Sequence, residues 1–563
     1  MERNHQGMVR RFITNSQTEV FVLGKLLDVN RTPYLVNLIY YIVWSTKEMM
    51  EGMIVDGQYR VDITGLKLQL GKAYFNIGIG TQYSAQCSFI SATETTITSQ
   101  ICVTSATSGD LICKANATGY VHNQNRARSI PMEVKSALED ASQKKIPSTS
   151  LASNHNYVSY RTVTVTRPSE IGEDGCYVEV TNYINYCIDG IQQAISANSD
   201  FLAVLRPEWL TKIRSVQIEI NSTLVRCQKL TIDIQLYTAD GIIWCKVIDD
   251  SQDKTASTMI FQIDLDPSNT VSTSRRLKPE LKISPLNPLE VQILCPQLGY
   301  YRDRFRNCDL GKMLRIIGEL RIASWLEGFM DWDQFFWRAN YGAVIASHRI
   351  RIKPNVYNLE KKSDVDVYLK LLAIGKSSFS IRHLVTARHK PKEHLMDILT
   401  ALVFTQHLKP RPLHANFANK YAKLVEGQKM PNKIIPFVKK SHNTFSHVIR
   451  PRECEIDTYS HVTNAVYVTY CLDAASLAIR NRSSAYRLYH LNDFNPQSIY
   501  QIDIVYVKQV RRAEEVIIET WQDNSSNLNF DIRYAKNNET ACRACFYLAN
   551  STLANSSTLQ PKL

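Results

Sequence analysis

The chain repeats itself over a distance that only a duplicated domain can span. Set against each other at a constant offset of 284, residues 173 to 220 and 457 to 504 align Tyr183 with Tyr467, Tyr186-Cys187 with Tyr470-Cys471, Asp189 with Asp473, and Gln217-Ile-Glu-Ile with Gln501-Ile-Asp-Ile. One offset running through two separated matches is hard to obtain by chance, and the period is far too long for a solenoid. Just upstream, Arg167-Pro-Ser-Glu170 echoes Arg450-Pro-Arg-Glu453 at an offset one residue shorter. A fold that occurs once must therefore occur again.

Each half in turn holds two units. Period-2 alternation places every second side chain on one face of a sheet. It runs through Ala92-Thr-Glu-Thr-Thr-Ile-Thr-Ser-Gln-Ile-Cys-Val, Leu230-Thr-Ile-Asp-Ile-Gln-Leu-Tyr, Val365-Asp-Val-Tyr-Leu-Lys-Leu-Leu and Glu515-Val-Ile-Ile-Glu-Thr-Trp. A stretch that can be helical precedes each of them: residues 34 to 49, 183 to 196, 311 to 327 and 464 to 480. In the last of these, β-branched Val466, Val468 and Thr469 favour a strand by propensity alone. Polar connectors join the paired units, one through Arg126-Ala-Arg-Ser-Ile-Pro131-Met-Glu-Val and one from Arg411-Pro-Leu-His to Lys433-Ile-Ile-Pro436. The expectation is an α+β chain of four units, 1–125, 156–285, 296–408 and 443–553, with linkers 126–155 and 409–442. A chain of 563 residues accommodates that number of ordinary domains.

The chemistry is concentrated in Glu455-Ile-Asp457-Thr-Tyr459-Ser-His461-Val-Thr-Asn464-Ala-Val-Tyr467-Val-Thr-Tyr470. A carboxylate, an imidazole and a carboxamide fall just ahead of the last helical stretch. Hydrolysis of an acyl thioester needs a positioned water, a base for its proton and donors for the oxyanion. Taken alone, Asp457 serves equally well as a helix cap and His461 as an ordinary partly buried imidazole.

The segment resembles the hotdog-fold thioesterases, in which Asp-x-x-x-His-Val-Asn-Asn-x-x-Tyr opens the central helix. It is most similar to the bacterial long-chain acyl-CoA thioesterases and to the acyl-acyl carrier protein (acyl-ACP) thioesterases. Asp457, His461, Val462, Asn464 and Tyr467 match, while Thr463 stands where those families carry the first Asn. The first connector also resembles the Arg-x-x-x-Ile-Pro-x-Glu-Val linker between the two hotdog units of acyl-ACP thioesterases. The resemblance implies four tandem hotdog folds, each a long central helix wrapped by an antiparallel sheet, arranged as two double-hotdog halves.

For the fourth unit the resemblance implies that Asp457 takes the water's proton or attacks the carbonyl, with His461 and Asn464 orienting water and substrate. The amides near Val462 to Asn464 would face the developing charge. Tyr459, Thr463, Tyr467 and Gln509 are the implied substrate-binding residues. Gln509 stands in Tyr506-Val-Lys-Gln509-Val510, where acyl-ACP thioesterases carry a functional Glu-Cys or similar pair in a strand. Glutamine orients water but is no base. The other units look degenerate: Glu173, Tyr177, Glu179 and Val180 occupy the places of Asp457, His461, Thr463 and Asn464, and Asn30 and Tyr34 stand for Asp457 and His461 in the first unit.

No cofactor and no metal is implied. Cys542-Arg-Ala-Cys545 lacks two further ligands at zinc spacing, and thirteen scattered cysteines suit reduced thiols in a cytoplasmic protein. No run of about 18 apolar residues exists, so no membrane span is expected. Met1-Glu-Arg-Asn-His-Gln-Gly-Met-Val-Arg-Arg-Phe lacks the apolar core of a signal peptide. The net charge of +13 is concentrated in residues 401–450, with nine Lys or Arg against Glu426. That segment serves either as a solvated linker or as a steering surface for an anionic carrier, and no motif for nucleic acid accompanies it. Two function classes remain: hydrolysis of fatty acyl thioesters of coenzyme A or acyl carrier protein, and non-catalytic acyl-thioester binding or scaffolding. A dehydratase ranks third. The repeats are expected to pair within the chain, with a homodimer as an open alternative.

Overall fold

The computed structural model describes residues 16–21, 38–39, 42–43, 46–47, 59–71, 82–92, 96–105, 109–123, 157–171, 177–205, 209–264, 283–295, 305, 307–332, 341–360, 363–406, 409–426, 443–457 and 460–549. The chain divides into two compact units. One consists of Met1–Val22, Leu26–Thr166 and Cys176–Leu277, the other of Leu23–Lys25, Arg167–Gly175 and Lys278–Leu563.

In the first unit, strands β1 (Ser16–Phe21), β2 (Tyr59–Leu70), β3 (Gln82–Ala92), β4 (Thr96–Ser105), β5 (Leu111–Asn123), β6 (Tyr157–Val165), β7 (Ile213–Ile220), β8 (Lys229–Tyr237), β9 (Ile242–Asp249) and β10 (Lys254–Ile263) form one sheet. Its order is β1-β3-β4-β5-β2-β7-β10-β9-β8-β6, antiparallel throughout. Read inward from either edge, the order is first, third, fourth, fifth, second. Two mirrored sets of five strands thus meet at their second strands, with Lys67 opposite Gln217 at the seam.

The second unit repeats the plan with β11 (Ile283–Asn287), β12 (Glu290–Cys295), β13 (Tyr341–Ile352), β14 (Val365–Ile374), β15 (Ser378–Ala387), β16 (Lys390–Gln406), β17 (Lys409–Pro410), β18 (Phe445–Ile449), β19 (Ile499–Tyr506), β20 (Val516–Gln522), β21 (Leu528–Tyr534) and β22 (Thr540–Leu548). The order is β11-β12-β14-β15-β16-β13-β19-β22-β21-β20-β18, so the plan recurs with β12 as the first strand of its set, β11 added outside it and β17 added to β16. Here the seam pairs Arg349 with Asp503, and the two side chains form a bidentate ion pair at 3.0 Å for both contacts.

A helix lies between the first and second strands of each set. Residues 38–39, 42–43 and 46–47 are helical between β1 and β2. Helix α1 (Val180–Ala197) precedes β7 and is followed by the short α2 (Ser199–Val204). Helix α3 (Leu310–Leu326) precedes β13, the short α4 (Ala415–Leu424) lies in the segment expected to be a linker, and α5 (Asn464–Arg480) precedes β19. Alternation shaped the strands as expected: β8 and β9 bury every second side chain.

In α5 the helix prevails over the β-branched residues because its period of about 3.6 puts Tyr467, Tyr470, Cys471, Ala474, Ala475 and Ala478 into the core together. Fully burying one large apolar side chain is worth about 1.5–3 kcal/mol, well above a propensity difference of about 0.7 kcal/mol at most. Close approach is written in two glycines. A Cβ on Gly190 would lie 2.8 Å from Ile234 Cδ1 under α1, and one on Gly311 would lie 2.3 Å from Thr469 Oγ1, where α3 meets α5.

Among the described residues no helix is long and apolar enough to cross a membrane. No group of three or more His, Cys, Asp or Glu among them could hold a metal ion. Cys542 and Cys545 are free thiols buried on β22.

Candidate functional site

The segment leading into α5 is a tight turn closed on itself. Ile456 bridges Val462 and His461 bridges Arg511, so the chain doubles back between residues 456 and 462. The Asp457 N–H donates to the His461 carbonyl at 2.7 Å, and the Ser460 N–H donates to the Asp457 carbonyl at 3.0 Å. Ser460 takes the left-handed conformation with φ 62°. The Asp457 carboxylate accepts the His461 N–H at 3.0 Å. Asp457 and His461 are therefore held in one turn by the backbone, and the carboxylate takes part in holding them.

The start of α5 is stapled from two sides. Thr463, the residue capping the helix, donates both its N–H and its Oγ1 to the Glu455 carbonyl at 2.9 Å. The Val462 N–H donates to Val510 at 2.8 Å, the Val510 N–H to the Tyr467 hydroxyl at 3.2 Å, and the Tyr506 hydroxyl to the Asn464 carbonyl at 3.0 Å. The amides of Asn464 and Ala465, first in the helix, have no intrahelical acceptor, as at any helix start. They are available to a developing negative charge.

Of the residues expected from the sequence, Asp457, His461, Thr463, Asn464 and Tyr467 come together in this turn and first helical turn. Thr463 and Tyr467 are tied to backbone groups there. Gln509 is not in a strand: it follows the end of β19, its side chain is exposed, and its carbonyl accepts the Tyr534 hydroxyl at 2.6 Å. Tyr459 lies outside the described residues, as do Glu173 and the Asn30 and Tyr34 of the first unit. In residues 156–285, Tyr177 bridges Val225 where His461 bridges Arg511, and Glu179 caps α1 as Thr463 caps α5.

Sequence reasoning missed what supports the turn. Short 3-10 turns at Pro168–Glu170 and Glu453–Glu455 have the same internal bond: the Glu170 carboxylate accepts the Arg167 N–H at 2.7 Å, and the Glu455 carboxylate accepts the Arg452 N–H at 2.6 Å. The counterpart of Arg167-Pro-Ser-Glu170 is thus Arg452-Glu-Cys-Glu455, and the shared Arg-Pro at 450–451 misaligned the two by two residues. Each carboxylate spends its other oxygen on the other motif's arginine, Glu455 on Arg167 and Glu170 on Arg452. Tyr470 donates to Glu455 at 2.8 Å, and Ser169 reaches Asp473 through N–H and Oγ at 2.7 and 2.8 Å. Burial opposes the Arg167 charge, but Glu455, with Tyr470, Glu170 and Asp473, outweighs it and holds the guanidinium protonated. The signal was present as a repeated Arg-x-x-Glu, legible only once both copies were paired.

Burial lowers the His461 pKa from its ordinary value, with Asp457 opposing and Arg511 reinforcing the shift. The imidazole, 4% exposed, is neutral at neutral pH. Burial also depresses His447 to about 4, with help from Arg167, and His348 to about 3. Each of these groups is harder to protonate folded than unfolded, so the unfolded chain takes up protons first as pH falls below about 6.5. Stability conferred by the neutral rings is complete above that value and is lost as pH descends toward the folded values. Between pH 6.5 and 5, before most carboxylates titrate, the expected loss is up to about 2 kcal/mol each for His447 and His348, whose folded values lie below that window. Urea unfolding at a series of pH values reads this; a flat profile from pH 7 to 5 would contradict it.

Fold and site together define a class: a chain of large antiparallel sheets packed on a few helices, with a carboxylate-imidazole turn at the start of one of them. One part of the chain matches a family model. Residues 438–547 match the model of the acyl-ACP thioesterase C-terminal domain. No curated protein matches the chain. Among solved structures, an acyl-ACP thioesterase from Bacteroides thetaiotaomicron is 12% identical, covering 47% of this chain and 100% of its own, with a TM-score of 0.34. The 12:0-ACP thioesterase from Umbellularia californica is 11% identical over 44% of this chain and 97% of its own, TM-score 0.34. A MaoC-like dehydratase from Phytophthora capsici is 11% identical over 37% and 72%, TM-score 0.25.

Proposed function

We propose that this protein hydrolyses fatty acyl thioesters, of acyl carrier protein or coenzyme A, to the free acid and the carrier thiol. The observation that carries the reading is the Asp457–His461 turn set directly before the unpaired amides of α5, inside the segment that matches the acyl-ACP thioesterase C-terminal domain. In this reading Asp457 removes a proton from water as its oxygen attacks the carbonyl carbon, and the oxyanion rests against the first amides of α5. Collapse of the tetrahedral intermediate breaks the carbon–sulfur bond, and the proton held by Asp457 goes to the departing thiolate. His461, neutral in its buried place, and Asn464 orient water and thioester.

The same reading takes each five-strand set with its helix as one hotdog, giving four in tandem with the limits 1–125, 156–285, 296–408 and 443–553, the first paired with the second and the third with the fourth. The repeated strand order first-third-fourth-fifth-second supports it. The fourth hotdog carries the reaction.

A second reading, acyl-thioester binding without turnover, draws on the Asp457 carboxylate already being engaged by the His461 N–H and on Tyr177 at the histidine place of residues 156–285. Thiol release from a panel of acyl-CoA and acyl-ACP substrates separates the two. Turnover abolished by Asp457→Asn supports hydrolysis; saturable binding without thiol release supports the alternative.

A further inference from the structure

Under α3, on the helix-facing side of the second unit's sheet, three neighbouring strands bring polar groups together in the core. His348 on β13 lies opposite Thr400 on β16, with Nδ1 2.9 Å from Thr400 Oγ1. On the other flank of that hydroxyl, His383 of β15 places its Nδ1 at 3.4 Å. His383 is 1% exposed, and its Nε2 has no hydrogen-bond partner. Helix α3 adds Arg321, 7% exposed, whose Nε is also without a partner. Among the described residues Arg321 forms no ion pair; its guanidinium lies 5.3 Å from the Trp325 ring centroid. Burial lowers its pKa to about 10, with Glu319 and Tyr506 opposing the shift, so it is a cation at neutral pH, and burial together with that cation keeps both imidazoles neutral.

The cluster adjoins the start of α5. The Tyr506 ring stands 5.8 Å from His348 and 5.4 Å from Tyr467, both edge-on, while its hydroxyl holds the Asn464 carbonyl. Glu319 attracts this charge through space, yet a buried cation with no ion-pair partner among the described residues is costly, and an apolar residue of similar volume would serve the fold better. A guanidinium fork matches a carboxylate in particular, and neutral imidazole and hydroxyl donors complete its shell.

We propose that Arg321, His348, His383 and Thr400 form a buried receptor for a carboxylate group of the ligand. The inference rests on the acyl-thioester reading for what the ligand is: the carboxylate belongs either to the released fatty acid or to the far end of an ω-carboxyacyl chain. The test uses the full chain, with calorimetric binding of decanoate and decanol and hydrolysis of decanoyl-CoA and decanedioyl-CoA. If the released acid is the source, decanoate binds about tenfold or more tighter than decanol, in line with a charge-assisted hydrogen bond. If the distal group is the source, decanedioyl-CoA shows a KM lower by a similar factor than decanoyl-CoA. Arg321→Met abolishes whichever preference is found while leaving the melting temperature unchanged or raised. Arg321→Lys, which keeps the charge but loses the fork, weakens it and guards against a variant that fails to fold. Absence of both preferences in the natural chain, or their survival in both variants, overturns the proposal. Decanoate preference without turnover of any thioester would leave the receptor standing and remove the hydrolase reading.

Discussion

Asp457→Asn is expected to lower acyl-thioester turnover by roughly 100- to 10,000-fold, the range over which a positioned general base contributes. The substitution isolates the proton transfer. An asparagine oxygen still accepts the His461 N–H that closes the turn, so α5 should start in the same place and the melting temperature should stay within about a degree of the parent, as for a surface change with no named structural cost. His461→Ala and Asn464→Ala remove orienting groups and are expected to cost less. Thiol-release kinetics beside a thermal melt decide the matter. Turnover that survives Asp457→Asn within a factor of a few would move the base elsewhere in the unit.

The largest effect on stability is expected from Glu455→Ala. That carboxylate receives Arg167, the Arg452 N–H and the Tyr470 hydroxyl, and its side chain is 11% exposed. Removing it strands a buried guanidinium and a buried hydroxyl, and breaking one partner of such a pair typically costs about 3–5 kcal/mol. Replacing both ends, Arg167→Met with Glu455→Leu, should recover much of that loss, because no uncompensated charge remains. Urea unfolding of the full chain measures both. A loss below about 1 kcal/mol for the single variant, the value of an exposed pair, would mean that the cross is solvated.

Local pattern carried a large part of the architecture. The helix expected at 464–480 is α5, those at 183–196 and 311–327 lie within α1 and α3 to within a few residues, and the runs at Leu230, Val365 and Glu515 are β8, β14 and β20. These follow from periodicity, which each segment carries by itself. The mirrored strand order does not, because it depends on which distant edges meet. The same limit explains the site. Asp457, His461 and Asn464 are close in sequence and were found together, whereas Glu455 gains its meaning only from Arg167, 288 residues away. Arg321, His348, His383 and Thr400 each read as an isolated polar residue in an apolar pattern; only the register of β13, β15 and β16 under α3 makes them neighbours. Gln509 lies outside the strand that the resemblance implied for a local reason, since β19 stops at Tyr506 and the residue is exposed in the loop that follows.

The seams at β2–β7 and β13–β19 join two mirrored sets as a two-fold axis joins identical chains. Within each unit, however, both sets lie on one polypeptide. Their association is unimolecular, so dilution that would separate a dimer leaves each sheet whole. A symmetric dimer also suffers every substitution twice, once on each side of its axis. This chain meets each substitution once. One partner can therefore keep a reactive turn while the other exchanges its own for packing or for a charged receptor, a division of labour closed to any assembly built from copies of a single sequence.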